Sequence, residues 1–111
     1  MEIKSRIFFA EEKIGKSFEE LKIGKTEEQE LYKALNHALE NLKRNAYSGI
    51  QIPKHLIPKE YANKYGIDNL WKYDLPRGWR LIYSVGNKGI EVVSIILEWL
   101  DHKNYEKRFK Y

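Results

Sequence analysis

The residues best suited to chemistry fall on two predicted strands, 70–75 and 79–85, joined by the short turn Pro76-Arg77-Gly78. Side chains alternate between the two faces of a strand, so pairing Leu75 with Trp79 across this turn sorts the hairpin into two sets. The set that we assign to the core is Trp71, Tyr73, Leu75, Trp79, Leu81 and Tyr83. The opposite face carries Lys72, Asp74, Arg80, Ile82 and Ser84.

Lys72 and Arg80 on that opposite face would be cations fixed on a rigid platform. Such a platform suits the binding of a phosphate group in one geometry. A second explanation needs no ligand, because Asp74 and Arg80 fall directly opposite each other and can form a cross-strand ion pair. The residues alone leave both explanations open.

His102 follows the last predicted strand. Histidine is the side chain best suited to proton transfer near neutral pH, although a lone surface histidine is more often inert. Three residues close to it can cap the tail against the sheet, stack on a base or bind a partner: Tyr105, Arg108 and Tyr111. A sparse basic loop fits either a nucleic-acid backbone or a solvated rim: Lys54, His55, Lys59 and Lys64.

The composition predicts one folded domain over residues 1–111, with 42% hydrophobic residues. The absence of cysteine excludes disulfides and thiol catalysis, and the three histidines lack metal-ligand spacing. Residues 51–111 hold eleven Lys or Arg against seven Asp or Glu, so the net charge of +4 lies there and suits an anionic partner. No signal pattern or membrane-length apolar run is present, which predicts a cytoplasmic protein, and high Lys and Glu content is typical of thermophiles.

The N-terminal half predicts a strand followed by two helices. Residues 3–9 read as a strand, and residues 11–22 read as a helix that Gly24 ends. The segment from Thr26 to Gln29 has the pattern of a capping box, with Thr26 as the cap and Gln29 reaching back. Apolar residues then recur at helical spacing and predict a helix to about Asn45: Leu31, Ala34, Leu35, Ala38, Leu39 and Leu42.

The C-terminal half predicts a strand meander. A short helix follows Pro58 and ends near Gly66, and strands over 70–75, 79–85 and 91–99 come next. The sequence Gly86-Asn87-Lys88-Gly89 predicts the turn between the last two strands, and residues 101–111 form a helical tail. The fold class is therefore α+β: a small antiparallel sheet of about four strands with two N-terminal helices on one face, in the order β-α-α-β-β-β plus tail.

The hairpin and the tail resemble a known family. Trp71 and the segment Arg80-Leu81-Ile82-Tyr83, followed by a turn and an apolar strand, resemble the hairpin of RelE/YoeB-like toxins. The segment from Leu100 to Lys107 resembles the H-D-x-Y-type ending of many RelE/HigB-type members. With its order of elements, the chain is similar over nearly its whole length to the RelE/ParE superfamily of toxin–antitoxin proteins.

That resemblance implies a cytoplasmic toxin that cleaves mRNA, commonly on the ribosome, without a metal or cofactor. It implies an antitoxin protein that covers the active face, and chemistry in which a ribose 2′-OH attacks the adjacent phosphate. The catalytic residues implied by position are Arg80, His102 and Tyr105. The implied phosphate and RNA contacts are Lys72, Arg77, Lys54, Lys103, Arg108 and Tyr111, with Tyr105 or Tyr111 orienting the RNA or transferring a proton.

The sequence departs from the family at Asp74, where some members carry a second basic residue on the strand. No glutamate holds an obvious base position, although Glu60 and Asp74 are candidates. One alternative is a catalytically weak protein of the same fold that binds an antitoxin-like peptide or RNA, which an intact Asp74–Arg80 pair favours. Another is a ParE-like toxin acting on DNA gyrase, against which His102 and the basic hairpin face argue.

Overall fold

Five strands and four helices make up residues 2–110, the part of the chain that this computed structural model describes. The elements in chain order are β1 Arg6–Phe9, α1 Glu12–Leu21, α2 Thr26–Arg44, β2 Ile50–Gln51, α3 Lys59–Tyr65, β3 Trp71–Asp74, β4 Arg80–Lys88, β5 Glu91–Leu100 and α4 His102–Phe109. Two short 3-10 turns lie at Lys54–Leu56 and Pro76–Gly78. Within the described residues, no helix is both long and apolar enough to cross a membrane.

The sheet confirms the α+β fold class, with the strand order β1-β5-β4-β3-β2. The predictions of about four strands and of a purely antiparallel sheet need correction. A fifth strand arises because Ile50 and Gln51 pair with Lys72 and Trp71, a ladder too short to leave a sequence pattern. The first strand runs parallel to β5, whereas the other pairs are antiparallel.

The central hairpin has the register that the alternation predicts. The Leu75 amide donates to the Trp79 carbonyl at 2.8 Å, and Asp74 lies opposite Arg80. The next turn differs from its prediction, because β4 continues to Lys88 and the chain reverses at Gly89 and Ile90. Gly89 takes the left-handed conformation there, with φ 64°.

The two N-terminal helices cover one face of the sheet, as predicted, and we call this the first face. The helix α2 starts one residue earlier than a Thr26 cap requires, since Lys25 is the N-cap. The backbone amide of Lys25 donates to the Glu28 carboxylate at 3.0 Å, and the Gln29 side chain donates to the Gly24 carbonyl at 2.8 Å. Lysine has no side-chain acceptor, so only one half of a capping box forms. The buried residues of this first core include Ile14, Phe18, Leu31, Leu35, Leu42, Leu81, Tyr83 and Ile96.

The opposite, second face is also covered, which corrects the expectation that it lies away from the core. The short helices α3 and α4 pack on it, so Ile82 and Ser84 are buried there. A register shift between Ile82 and Tyr83 gives β5 one extra residue, and it turns Leu97 toward this side. The second core consists of Ile52, Tyr61, Leu70, Ile82, Leu97, Tyr105 and Phe109.

Gly49 fits where no other residue can. A Cβ there would lie 2.5 Å from the Lys72 carbonyl oxygen and 2.6 Å from the Tyr83 hydroxyl. We therefore expect Gly49→Ala to lower the free energy of unfolding by about 1–3 kcal/mol, measured by urea unfolding. Gly86→Ala is the matched control, since its new Cβ would make only ordinary contacts, at 3.7 Å or more. Equal stability of the two variants would contradict the close approach.

Candidate functional site

Lys72 on β3 and Arg80 on β4 emerge together on the second face. Their side chains are only 19% and 18% exposed, so the sheet and α4 hold most of each chain in place. The pairing of β3 with β4 offsets the two residues, because Arg80 lies opposite Asp74 and Lys72 lies opposite Ile82. Two cations therefore share one small area of a rigid sheet, as the alternation predicted.

Asp74 lies between these two cations. Its Oδ1 atom is 3.1 Å from Lys72 Nζ and 3.0 Å from Arg80 Nε, so the expected cross-strand ion pair is present. Arg80 Nε is nevertheless buried without a directed hydrogen bond among the described residues. The contact is therefore mainly electrostatic, and the carboxylate is 49% exposed and free to exchange with solvent or another anion.

The side chains of Lys72 and Arg80 both lie over the ring of Tyr105. The ring centre is 5.1 Å from the Arg80 guanidinium carbon and 5.7 Å from Lys72 Nζ, which is within the range of a cation–π contact. Tyr105 itself is only 2% exposed and stacks on Phe109 at 4.5 Å. A ring buried in this way has no free face for a base, so its position gives it a supporting role rather than the RNA-orienting role that the resemblance implies. We call Lys72, Asp74 and Arg80, with Tyr105 beneath them, the Arg80 cluster.

His102 lies at the edge of the Arg80 cluster, at the first position of α4. The Asp101 side chain caps this helix by accepting from the Asn104 amide at 2.8 Å. A Cβ at Gly78 would be only 3.0 Å from the Cβ of His102, and the Gly78 carbonyl accepts from Arg80 Nη1 at 2.5 Å. One glycine thus links the histidine to the arginine.

Glu106 pairs with His102 one helical turn later. Its Oε1 atom is 2.6 Å from His102 Nε2, and the two side chains are 62% and 48% exposed. When Nε2 carries the proton, the carboxylate accepts it in a hydrogen bond and the Nδ1 lone pair remains available to take up a proton. Glu106 was not predicted as a site residue, although a carboxylate four residues after a histidine on a predicted helix is a readable signal.

The other predicted contacts lie apart from the Arg80 cluster. Arg77 pairs with Glu30 of α2 at 3.2 Å, which turns it toward the first face. Lys54 is exposed on the loop after β2, and Lys103 is exposed on α4. Tyr111 lies outside the described residues.

Arg108 belongs to a partly buried network that fastens α4 and α3 to β5. Its guanidinium donates to Glu98 at 2.8 Å and lies over the Tyr61 ring, and the Tyr61 hydroxyl donates to the same carboxylate oxygen. Burial is the main cause that raises the pKa of Tyr61 above its ordinary value of 10.0, and the hydrogen bond to Glu98 is the second. Burial likewise raises the pKa of Tyr83 above that value. The role of Arg108 is therefore to hold α4, and with it Tyr105 and His102, on the sheet.

These two raised pKa values predict a loss of stability in alkali. Below about pH 10 both tyrosines are neutral in either state, whereas above it only the unfolded chain loses their protons. The free energy of unfolding should therefore fall above that pH, by at most about 1.4 kcal/mol per pH unit for each tyrosine. Urea unfolding between about pH 8 and about pH 11 measures it. The free energy of unfolding of Tyr61→Phe should decline less steeply with pH than that of wild type. Tyr47→Phe, which alters a half-exposed ring, is the control and should decline like wild type. Equal slopes for Tyr61→Phe and wild type would refute the assignment.

Comparison with known proteins gives no relative from which a role could be transferred. No protein-family model matches the chain, and no curated protein or solved structure shows significant similarity to it. Among the described residues, no group of three or more potential ligand side chains could hold a metal ion. The geometry of the Arg80 cluster and the motif resemblance are therefore the two indications of a function.

Proposed function

We propose that this chain is a RelE/ParE-type toxin, a cytoplasmic endoribonuclease that cleaves ribosome-associated mRNA without a metal and is silenced by an antitoxin protein. The observation that supports this most is the placement of Arg80 and Lys72 on one rigid face, with His102 at its edge. Cations fixed on a sheet can stabilise negative charge that develops on a phosphate without first reorganising. A histidine at the rim of such a site can move a proton near neutral pH.

The proposed reaction is the one that the RelE/YoeB resemblance implies, with this chain's residues in its roles. The ribose 2′-oxygen attacks the adjacent phosphorus, the bond from phosphorus to the 5′-oxygen breaks, and a 2′,3′-cyclic phosphate forms. Arg80 and Lys72 balance the charge that builds on the non-bridging oxygens. His102 accepts the proton of the 2′-OH, Glu106 orients its ring, and the departing 5′-oxygen takes a proton from water.

A second candidate, a catalytically weak protein that binds RNA or an antitoxin-like peptide, is favoured by the position of Asp74. Its carboxylate already lies within 3.1 Å of a nitrogen of each cation, where a phosphate would have to bind. This occupation does not exclude catalysis, because the carboxylate is 49% exposed and can turn into solvent when a phosphate binds. A substrate phosphodiester carries the same single charge on two non-bridging oxygens and can therefore compete with Asp74 for both cations.

Asp74→Asn measures this competition. Removing the negative charge while keeping the shape should free both cations, so we expect RNA to bind about two- to fivefold more tightly. The measurement is the dissociation constant for a 2′-O-methylated RNA, which cannot be cleaved by the 2′-OH route. Glu19→Gln is the control, since Glu19 lies on α1 in an exposed ion pair with Lys22 at 3.8 Å, and it should bind RNA like wild type. Weaker binding by Asp74→Asn would show that the carboxylate positions the cations instead of competing for them.

Expression of the chain alone in a bacterial host tests the function, beside the Arg80→Ala variant. Growth arrest with cleaved mRNA, absent in the variant, is the expected result. Arrest with intact mRNA would point to a ParE-like toxin acting on gyrase. Unimpaired growth despite folded protein would leave the binding role in place of the nuclease.

A further inference from the structure

A slot of about 610 Å³ opens on the first face of the sheet, beyond the end of α2 and away from the Arg80 cluster. Val85, Gly86 and Val92 of the β4–β5 hairpin form its floor. Its aromatic wall is made by Tyr47 and Trp71. The slot is therefore a flat apolar space beside two rings, and the reaction proposed above makes no use of it.

The wall is a stack of rings that runs from the surface into the core. Tyr47 lies on Trp71 with ring centres 5.1 Å apart and planes 13° apart, and Trp71 lies 6.1 Å from Tyr83. Tyr47 is 48% exposed, so part of its ring faces solvent. A large aromatic side chain exposed on a rigid stack offers a further planar group the same kind of contact.

The loop that carries Tyr47 is held in place before any ligand arrives. The buried Tyr83 hydroxyl donates to the Ala46 carbonyl at 2.8 Å and accepts from the Gly49 amide at 3.1 Å. These two bonds clamp the loop on either side of Tyr47. Binding against Tyr47 therefore costs little additional ordering of the chain.

Polar side chains at the rim match the edges of a nucleobase. Gln51 and Asn87 are exposed, and within residues 2–110 neither side-chain amide has a hydrogen-bond partner. Each amide offers both donors and an acceptor, as the edge of a base requires. Lys54 and Asp68 also border the slot. Lys54 has no ion pair within the described range and can meet a phosphate, whereas the Asp68 carboxylate accepts from the Asn69 amide at 3.0 Å. The amide of Asn69, by contrast, is engaged by the backbone of Val85 at 2.8 and 2.9 Å and only frames the slot.

We infer that this slot binds a nucleobase of single-stranded RNA, stacked on the face of Tyr47 that Trp71 leaves open, with Gln51 and Asn87 at its edge and Lys54 at the adjoining phosphate. The choice of RNA rests on the proposed function, whereas the slot itself rests on these contacts alone. An apolar peptide side chain would leave both amides and the lysine without partners. Stacking, two amides and a cation together fit a nucleotide unit of a chain.

The test is the affinity of the full chain for an unstructured, fluorescently labelled, 2′-O-methylated RNA of about eight nucleotides, within the site sizes of such surfaces. Tyr47→Ala should weaken binding about five- to tenfold or more, since removal of one stacking ring has effects of this order. Tyr47→Phe should bind like wild type because the ring remains. Tyr32→Ala is the matched control, since that ring stacks on Phe18 at 4.7 Å, elsewhere on the first face.

The outcomes separate this inference from the proposed function. RNA binding that depends on Tyr47, with mRNA left intact on translating ribosomes, would support the slot and refute the nuclease. Cleavage with binding that is indifferent to Tyr47→Ala, in a variant that circular dichroism shows to be folded, would overturn the slot and leave the nuclease. Absence of RNA binding by the wild-type protein would overturn the slot as an RNA site. Competition by a mononucleotide at the same concentration as the RNA would also overturn it, because a free nucleotide would then be the ligand.

Discussion

Arg80→Ala is expected to slow RNA cleavage about 10²–10³-fold, the usual effect of removing one donor that stabilises developing charge. The guanidinium is held by Gly78, Asp74 and the ring of Tyr105, and it is the more fixed of the two cations. Cleavage of a defined mRNA in a reconstituted translation mixture measures the rate. Arg80→Lys should recover only part of the loss, since an ammonium lacks the planar fork that can bind two phosphate oxygens.

Arg6→Ala is the matched control for Arg80→Ala. Arg6 also lies over an aromatic ring, at 5.3 Å from Phe8, and also pairs with a carboxylate, Glu91, at 3.4 Å, but on the outer strand β1. The two variants lose the same kinds of contact, but Arg6 is 61% exposed and Arg80 only 18%, so Arg80→Ala should lower the thermal stability more, and it alone should lose cleavage. An Arg80→Ala protein that is folded and cleaves at the wild-type rate would remove Arg80 from the site.

His102→Ala is expected to lower the cleavage rate about 10²–10⁴-fold, the range for loss of a positioned proton-transfer group. His102 is 62% exposed and lies outside both cores, so the variant should unfold at nearly the wild-type temperature. The affinity for 2′-O-methylated RNA should also stay close to wild type, because the cations remain. The rate constant under single-turnover conditions, set beside that affinity, separates the chemical step from binding.

His37→Ala controls for the loss of an imidazole from an exposed helix position, since His37 lies on α2 and its one hydrogen-bond partner among residues 2–110 is Asn41, at 3.4 Å. It should cleave like wild type. The cleavage rate of Glu106→Gln should lie between those of His102→Ala and His37→Ala, because the amide can still bond the ring of His102 but carries no charge. Equal loss in His102→Ala and His37→Ala would show that cleavage does not depend on the His102 position.

The hairpin could be predicted because one rule fixes it. Alternation along 70–75 and 79–85 determines which side chains share a face, and a slip of one residue would have placed Trp71 and Tyr83 on opposite sides. The helix α2 was equally readable from its repeated leucines. The two-residue strand β2 had too little length to show a pattern, and the parallel pairing of β1 with β5 is a tertiary feature that no local signal carries.

The covered second face was missed because its helices are short and mostly polar. The helix α4 spans eight residues and buries only Tyr105 and Phe109, an i, i+4 pair that the charged residues around it obscured. Reading that pair as an apolar stripe would have predicted a buried Tyr105 in place of an RNA-contacting one. The direction of the Arg77 side chain could not be predicted either, because the left-handed backbone of this residue, with φ 61°, turns it toward Glu30.

The most direct test of the nuclease is the chemical nature of the RNA ends it produces. The purified full chain is mixed with ribosomes that translate a defined mRNA, and the ends of the RNA fragments are mapped. A parallel reaction contains bare RNA and EDTA in place of the ribosomes. Attack by the 2′-OH predicts fragments ending in a 2′,3′-cyclic phosphate or 3′-phosphate and starting with a 5′-OH, with none from the Arg80→Ala protein. Fragments with 3′-OH and 5′-phosphate ends, or mRNA left intact by folded wild-type protein, would contradict the account.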